Sequence, residues 1–187
     1  MSVPAYIKTK KTSIASHPEL NERWVQDRIA EDPTILGLGE VILKDKERIQ
    51  PKAGRLDFLL REAETTRRYE VEVQLGKTDA SHIIRTIEYW DIERKRYPQY
   101  DHCAVIIAED ITSRFLNVIG LFNGAIPLIA IQMNALIIND QITLTFTKVI
   151  DELQLGFEED DVDIQPADRA YWESKATKET LYNLMLN

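Results

Sequence analysis

The stretch YEVEVQLGKTD, residues 69–79, decides the fold. Its apolar residues alternate with Glu70, Glu72 and Gln74, which is the pattern of a β-strand whose successive side chains point to opposite faces. One face of this strand therefore carries two carboxylates and an amide, while the other face is apolar. Two explanations fit the polar face: it meets water, or it holds a metal ion.

A further acid interrupts the apolar strand that precedes this stretch. Asp57 lies in GRLDFLL, residues 54–60, where an unpaired buried charge would cost several kcal/mol. The polar connection of residues 61–68 suits a hairpin that brings Asp57 beside Glu72. Two carboxylates at that point supply hard oxygen ligands for Mg²⁺ or Mn²⁺, and an ion bound there would activate water for phosphodiester hydrolysis.

The remaining pattern predicts helices and strands in a mixed order. The predicted elements are a helix over 20–32 that stops at Pro33, a strand over 40–49, a helix from a Thr78 or Asp79 cap to Pro98, a strand over 102–110 buried on both faces, a helix over 112–124, and strands over 126–138 and 141–150 that turn at NDQ. This order predicts an α/β fold with a mixed central sheet flanked by helices, because helical crossovers connect parallel neighbours.

Charge and composition divide the 187 residues into three parts. Residues 1–18 are a polar N-terminal arm with loose packing, residues 19–150 form one domain, and residues 151–187 are an acidic linker with a helical tail. The last part carries a net charge of −7 out of −8 for the chain. The nearly neutral body is therefore compatible with a nucleic-acid partner.

Nothing in the sequence points to a membrane or to an oxidising compartment. No apolar run approaches the roughly 20 residues that cross a bilayer, and the first residues lack an apolar signal core. The single cysteine, Cys103, cannot form an internal disulfide. A cytoplasmic protein without a membrane partner is expected.

The two acidic strands resemble the core motif of the PD-(D/E)XK, or restriction-endonuclease-like, nucleases. That motif has an acid on one strand and then acid, any residue and lysine on the next. Asp57 matches the first acid and Glu72 the second, with Val73 between the acid and the lysine position. Gln74 stands where the motif has lysine, and some family members also carry glutamine there.

The resemblance covers roughly residues 19–135 and implies a restriction-endonuclease-like core around a metal site. It implies that Asp57, Glu72 and the Val73 carbonyl bind Mg²⁺ or Mn²⁺. Family members often carry a further acid on the first core helix, and Glu22 is the candidate here, reaching the metal through a water. The alternative for Glu22 is a first-turn acid that the helix dipole favours.

The function implied by the resemblance is a metal-dependent nuclease, with DNA favoured over RNA as substrate. Gln74 would orient the attacking water, although it adds no charge. Lys77, three residues further on, would supply the missing positive charge. A single site of this kind cuts one strand, so a homodimer is expected of a duplex cutter.

Four further residues are candidates for contact with nucleic acid. They are Arg85 and His82, on the helix after the motif, and Lys52 and Arg55, which precede Asp57 in the sequence. A helical ion pair between Arg85 and Glu88 would explain the arginine equally well.

Two rival functions remain open. The first is a nucleic-acid-binding module on the same fold that has lost catalysis, with Gln74 as one symptom. The second is a protein-interaction domain whose acidic tail docks a basic partner.

Overall fold

A mixed sheet forms the centre of the computed structural model, which describes residues 5–153. Its strands are β1 (Lys10–Thr12), β2 (Val41–Gln50), β3 (Gly54–Glu62), β4 (Arg67–Lys77), β5 (Asp101–Asp110), β6 (Leu128–Ile138) and β7 (Gln141–Ile150). The helices are α1 (Glu22–Glu31), α2 (Ala80–Arg96) and α3 (Ser113–Asn123), with a 3-10 turn over Pro33–Leu36. Most of the predicted acidic linker and all of the helical tail lie outside the described residues.

The sheet combines parallel and antiparallel pairs, as predicted. Its strands run in the order β1, β6, β5, β4, β3, β2, and β7 also pairs with β6. The central strands β4, β5 and β6 are parallel, and the other pairs are antiparallel. The two parallel steps are the two connected by helices, α2 and α3, as crossover connections require.

Helices cover both faces of the sheet. Val25 and Ile29 of α1 pack on one face, in a cluster with the β4 residues Val71 and Val73. On the other face, α2 and α3 pack on Ala104, Ile106 and Ala108 of β5. The strand β5 is therefore covered on both sides, and residues 102–109 are all buried, in agreement with the continuous apolar run.

Side-chain caps and a tight turn set the bounds of several elements. Asn21 caps α1 by accepting a hydrogen bond from the Trp24 amide at 3.0 Å. Of the two predicted caps of α2, Asp79 is the one used, since its Oδ1 accepts from the His82 amide at 2.9 Å. Asn139 and Asp140 turn the β6–β7 hairpin with φ of 47° and 59°, as tight two-residue turns require. Within residues 5–153, no helix is both long and apolar enough to cross a membrane.

The N-terminal segment is more firmly placed than expected. β1 pairs with residues 135–137 of β6, and Ile14 is 1% exposed within the main core. The amides of Ile14 and Ala15 donate to the Glu109 carboxylate at 2.6 and 3.0 Å. The expectation of a loosely packed arm over residues 1–18 is therefore wrong from Lys10 to Ala15, because these residues bond to strands that are distant in sequence.

The turn between β2 and β3 is fixed to α2. The Tyr89 hydroxyl donates to the Ala53 carbonyl oxygen at 3.1 Å. The next residue, Gly54, has a φ of 122°, and an added Cβ would lie 2.5 Å from the Tyr89 hydroxyl oxygen. Only glycine therefore satisfies both the backbone conformation and the close approach of the tyrosine.

The Gly54→Ala variant should lower the free energy of unfolding by roughly 2–4 kcal/mol, because strain and a steric clash act together. Gly120→Ala is the matched control, since Gly120 lies within α3 with open space around it. That control should raise stability by up to about 1 kcal/mol through helix propensity. Urea unfolding of both variants measures the difference, and equal effects would contradict the role given to Gly54.

Candidate active site

Asp57 and Glu72 lie where β3 and β4 separate. The antiparallel register pairs Phe58 with Val71, and the next opposed pair would be Asp57 with Glu72. The backbone ladder does not continue to that pair. Instead the Asp57 amide donates to Glu72 Oε1 at 3.1 Å, and the Val73 amide donates to Asp57 Oδ2 at 2.8 Å. Each carboxylate thus bonds the opposite strand, so the structure brings the two predicted acids together.

Both acids have a raised pKa. Burial raises the pKa of Glu72, which is 3% exposed, and the neighbouring Asp57 carboxylate raises it further. Burial likewise raises the pKa of Asp57, with Glu22 adding to the effect and the Val73 amide opposing it. The pKa of Glu22 is raised by burial too, against the opposing charge of Arg85. Burial is thus the main cause of the raised pKa at all three carboxyl groups, and neighbouring acids add to it at Asp57 and Glu72.

The first helix supplies a contact that the sequence analysis missed. Gln26 is buried in α1, and its Nε2 donates to Asp57 Oδ1 at 2.9 Å. Glu22 lies one turn earlier on the same helix and lines the same cleft as Asp57. The signal was available, because residues four apart on a helix share a face.

Gln74 and Lys77 lie further along β4. The Nε2 of Gln74 donates to Asp79 Oδ2 at 3.0 Å, so the residue that caps α2 also holds this side chain. The Oε1 of Gln74 is buried and has no hydrogen-bond partner among the described residues. Lys77 is exposed at the end of the strand and forms no ion pair within residues 5–153.

Two residues on the α2 side of the sheet differ from expectation. His82 is fully buried, and burial lowers its pKa to about 4 although the Glu72 backbone opposes that shift. A histidine with no exposed surface cannot contact nucleic acid, so that prediction is wrong. Glu70 is also fully buried, and its Oε1 lies 2.8 Å from His102 Nδ1. The alternative in which Glu70 and Glu72 face water is therefore wrong as well, because α2 covers this face.

An open cleft of about 470 Å³ lies beside the acids. Its lining residues include Glu22, Gln26, Asp57, Tyr89 and the three arginines Arg23, Arg55 and Arg85. Arg85 Nε lies 3.8 Å from Glu72 Oε2, beyond hydrogen-bond distance. Arg55 is exposed at the rim and lies 3.8 Å from Glu47. Lys52 is exposed in the β2–β3 turn next to this cleft, with a φ of 65°.

The donor set at the cleft suits a divalent cation with few protein ligands. Among residues 5–153, no group of three or more His, Cys, Asp and Glu side chains is arranged to hold a metal. Mg²⁺ requires less than that, since it commonly binds through one or two carboxylates and keeps several waters. Burial and, after it, the charge of neighbouring carboxylates raise the pKa of Asp57 and Glu72, and a cation bound between them would favour their charged forms. The pair therefore fits a Mg²⁺ site completed by water.

Known proteins match this chain in structure but not in sequence. No protein-family model matches the chain, and no curated protein matches its sequence. The EndoMS protein of an EndoMS–dsDNA2 complex is 14% identical, with a TM-score of 0.50 over 60% of this chain and 44% of that chain. A repair endonuclease from Pyrococcus abyssi is 16% identical, with a TM-score of 0.47 over 57% of this chain and 45% of that chain.

At such low identity the first likeness shows a shared fold. It confirms the predicted α/β class with a mixed central sheet flanked by helices. The chain spans less than half the length of either solved protein.

The raised pKa of Glu72 predicts how stability depends on pH. Because the folded protein holds this proton more tightly than the unfolded chain does, the charged glutamate destabilises the fold above its ordinary pKa of 4.5. Relative to wild type, Glu72→Gln should therefore gain stability as the pH rises from 4.5 to about 8, by on the order of 2 kcal/mol. Urea unfolding across that range, without divalent metal, measures the gain.

The exposed Glu64 provides the control, because it has no bonded partner in the described residues. Glu64→Gln removes one exposed carboxylate and should change the free energy of unfolding by less than about 0.5 kcal/mol. A pH-independent difference for Glu72→Gln would contradict the raised pKa.

Proposed function

We propose that this protein is a metal-dependent nuclease that hydrolyses phosphodiester bonds, with DNA favoured over RNA. The observation that carries the proposal is the adjacent, incompletely compensated pair of Asp57 and Glu72 beside an arginine-lined cleft. A nuclease needs this combination, because the acids suit the metal and the arginines suit the phosphate backbone. The fold shared with an endonuclease seen in complex with double-stranded DNA supports the choice of DNA.

The treatment of the other buried acids supports a functional origin for the pair. Four glutamates are buried in the described residues: Glu70, Glu72, Glu93 and Glu109. Glu70 has His102 at 2.8 Å, and Glu93 accepts from Arg48 and Gln50 at 2.8 Å each. Glu72 accepts the Asp57 amide at 3.1 Å, and no side-chain donor lies within hydrogen-bond distance of it among residues 5–153. The other three buried glutamates each have a side-chain partner, and Glu72 has only that backbone amide.

The ligands in this proposal are Asp57, Glu72 and the Val73 carbonyl, with Glu22 acting through a water. Mg²⁺ or Mn²⁺ bound there would lower the pKa of the attacking water and offset charge on the phosphate. Gln26 fixes the Asp57 carboxylate from the α1 side, which keeps one oxygen in a constant orientation.

Gln74 orients the attacking water in the proposed mechanism. Its amide nitrogen is held by Asp79, which directs the amide and leaves Oε1 without a partner. An amide oxygen can accept a hydrogen bond from water, although it contributes no charge. Because Oε1 is buried here, the proposed role requires the Gln74 side chain to turn toward the cleft.

The cations of the cleft then act on the substrate phosphates. Arg85 and Lys77 offset charge near the scissile phosphate. Arg23, Arg55 and Lys52 contact the backbone of the nucleic acid further out. A cut in both strands requires two such sites, so the proposal includes a homodimer with twofold symmetry.

A second candidate function is a nucleic-acid-binding module without catalysis. One observation favours it: both oxygens of Asp57 already accept hydrogen bonds, from Gln26 and from the Val73 amide. The absence of lysine at position 74 points the same way. Metal affinity separates the two candidates.

Removal of either acid should abolish metal binding and strongly reduce cleavage. Calorimetry with Mn²⁺ should show binding to wild type and none to Asp57→Asn or Glu72→Gln. Each variant leaves only one of the two carboxylates that are proposed to bind the ion directly. Cleavage of DNA with Mg²⁺ should fall by about 10²-fold or more in both variants. Glu64→Gln should retain both properties.

The two measurements also distinguish the candidate functions. Unchanged Mn²⁺ affinity in both acid variants would overturn the metal site. A wild-type protein that binds nucleic acid but cuts neither DNA nor RNA with several metals would favour the binding module.

Gln74 should tolerate lysine but not leucine. Gln74→Leu removes the water-orienting oxygen and should lower turnover by about 10²-fold. Gln74→Lys restores the residue of the family motif and should keep turnover within about 3-fold of wild type. Single-turnover cleavage rates measure both, and equal rates for leucine and glutamine would show that Gln74 has no part in the reaction.

A further inference from the structure

The strand that carries Glu72 and Gln74 contains a bulge directly after them. In the β4–β5 ladder, Gln74 pairs with Ala108, and the next recorded pair is Lys77 with Asp110. Two residues of β4, Leu75 and Gly76, thus stand opposite the single residue 109. Gly76 has a φ of 70°, the left-handed conformation that such a bulge favours.

The bulge decides which face of the sheet carries Lys77. In a regular strand, residues 74 and 77 project to opposite faces, and Lys77 would lie on the α1 side with Val73. The extra residue reverses this alternation. Lys77 now stands opposite Asp110, which is two residues after Ala108 and shares its face, the face covered by α2. The register therefore places Lys77 on the same face as Glu72 and Gln74.

Glu109 holds the bulge in place. The Gly76 amide, which the bulge turns out of the ladder, donates to Glu109 Oε2 at 2.7 Å. The same carboxylate accepts from the amides of Ile14 at 2.6 Å and Ala15 at 3.0 Å, and from the Ser13 hydroxyl at 3.3 Å. A buried carboxylate with three backbone donors makes strong, charge-assisted bonds. The N-terminal segment and the bulge thus share one anchor.

We infer that Glu109 is a positioning residue for the proposed nuclease site: it fixes the bulge at Gly76 and thereby keeps Lys77 on the face of the paired carboxylates. The inference rests on the proposed function where it concerns cleavage. The competing explanation is that Glu109 only anchors the N-terminal segment, in which case its loss would lower stability without acting through Lys77.

The first experiment tests the bulge without reference to activity. Glu109→Gln keeps the shape of the side chain but replaces one carboxylate oxygen with an NH₂ group. That group is itself a donor, so it cannot accept hydrogen bonds from the backbone amides that face it. Amide hydrogen exchange followed by NMR should show the Gly76 amide exchanging at least about 10-fold faster in this variant. The Val73 amide, which is bonded to Asp57, should stay within about 3-fold of wild type.

The second experiment is a double-mutant cycle for DNA cleavage with Mg²⁺. Lys77→Ala should lower turnover by about 10²-fold, and Glu109→Gln by about 10-fold or more. If Glu109 acts through Lys77, the double variant should be no more than about 3-fold slower than Lys77→Ala alone. Independent effects would multiply to about 10³-fold. Glu64→Gln should cleave like wild type.

Each outcome supports or overturns the inference. Unchanged exchange at Gly76, or multiplied losses in the cycle, would overturn it. If wild type cuts nothing, the proposed nuclease function fails, yet exchange at Gly76 still decides whether Glu109 fixes the bulge. Should Glu109→Gln fail to fold, the same measurements on Glu109→Asp apply, because a side chain one methylene shorter weakens its reach to Gly76 and keeps the charge.

Discussion

Two like charges held side by side at the point where two strands separate are the constraint on which the rest of this structure depends. A regular hairpin would continue its backbone ladder from Phe58 and Val71 to the next pair. Here the side chains of Asp57 and Glu72 take the place of those bonds, each accepting an amide from the opposite strand. The exchange keeps both strands satisfied where they diverge. It also separates the two strands beside the cleft that Asp57 lines.

Keeping the pair in place involves every element around it. α1 supplies Gln26, which donates a hydrogen bond to Asp57. α2 supplies Arg85, which lies 3.8 Å from Glu72 and lowers the pKa of that carboxyl group without forming a hydrogen bond to it. The cap of α2 serves twice, because Asp79 both begins the helix and holds Gln74. On the far wall, Tyr89 fixes the β2–β3 turn. Helix α2 is thus the element that connects the acids, the amide and the cleft wall.

Local patterns predicted the parts of the site that depend on neighbouring residues. The alternation in YEVEVQ identified the strand, and the short connection to GRLDFLL put Asp57 beside Glu72. The sequence GKTD contained the helix cap. These features follow from periods of two and 3.6 residues and from the chemistry of turns, all of which act over a few residues.

Other parts depend on contacts that no local pattern shows. The four donors to Glu109 come from the N-terminal segment and from Gly76, which are distant from it in sequence. The sequence around Glu109 therefore shows only an acid at the end of an apolar run, with no sign of these bonds. His82 was expected beside Arg85, but a helix that packs on a sheet buries one side of each turn, and His82 lies on that side. The face of the sheet to which Lys77 projects depends on a bulge in β4. A prediction from strict alternation along a strand cannot include such a bulge.

The glutamine at position 74 is best understood together with this bulge. A lysine there would combine two properties in one side chain, a positive charge on the face of the two acids and a polar group that can orient water. Glutamine supplies only the second of these properties. In the proposed mechanism, the positive charge then comes from Lys77, one bulge further along the strand, where it meets the phosphate rather than the carboxylates. On this proposal, orientation and charge, which a single lysine combines, are divided between Gln74 and Lys77, and Glu109 keeps Lys77 on the face of the acids.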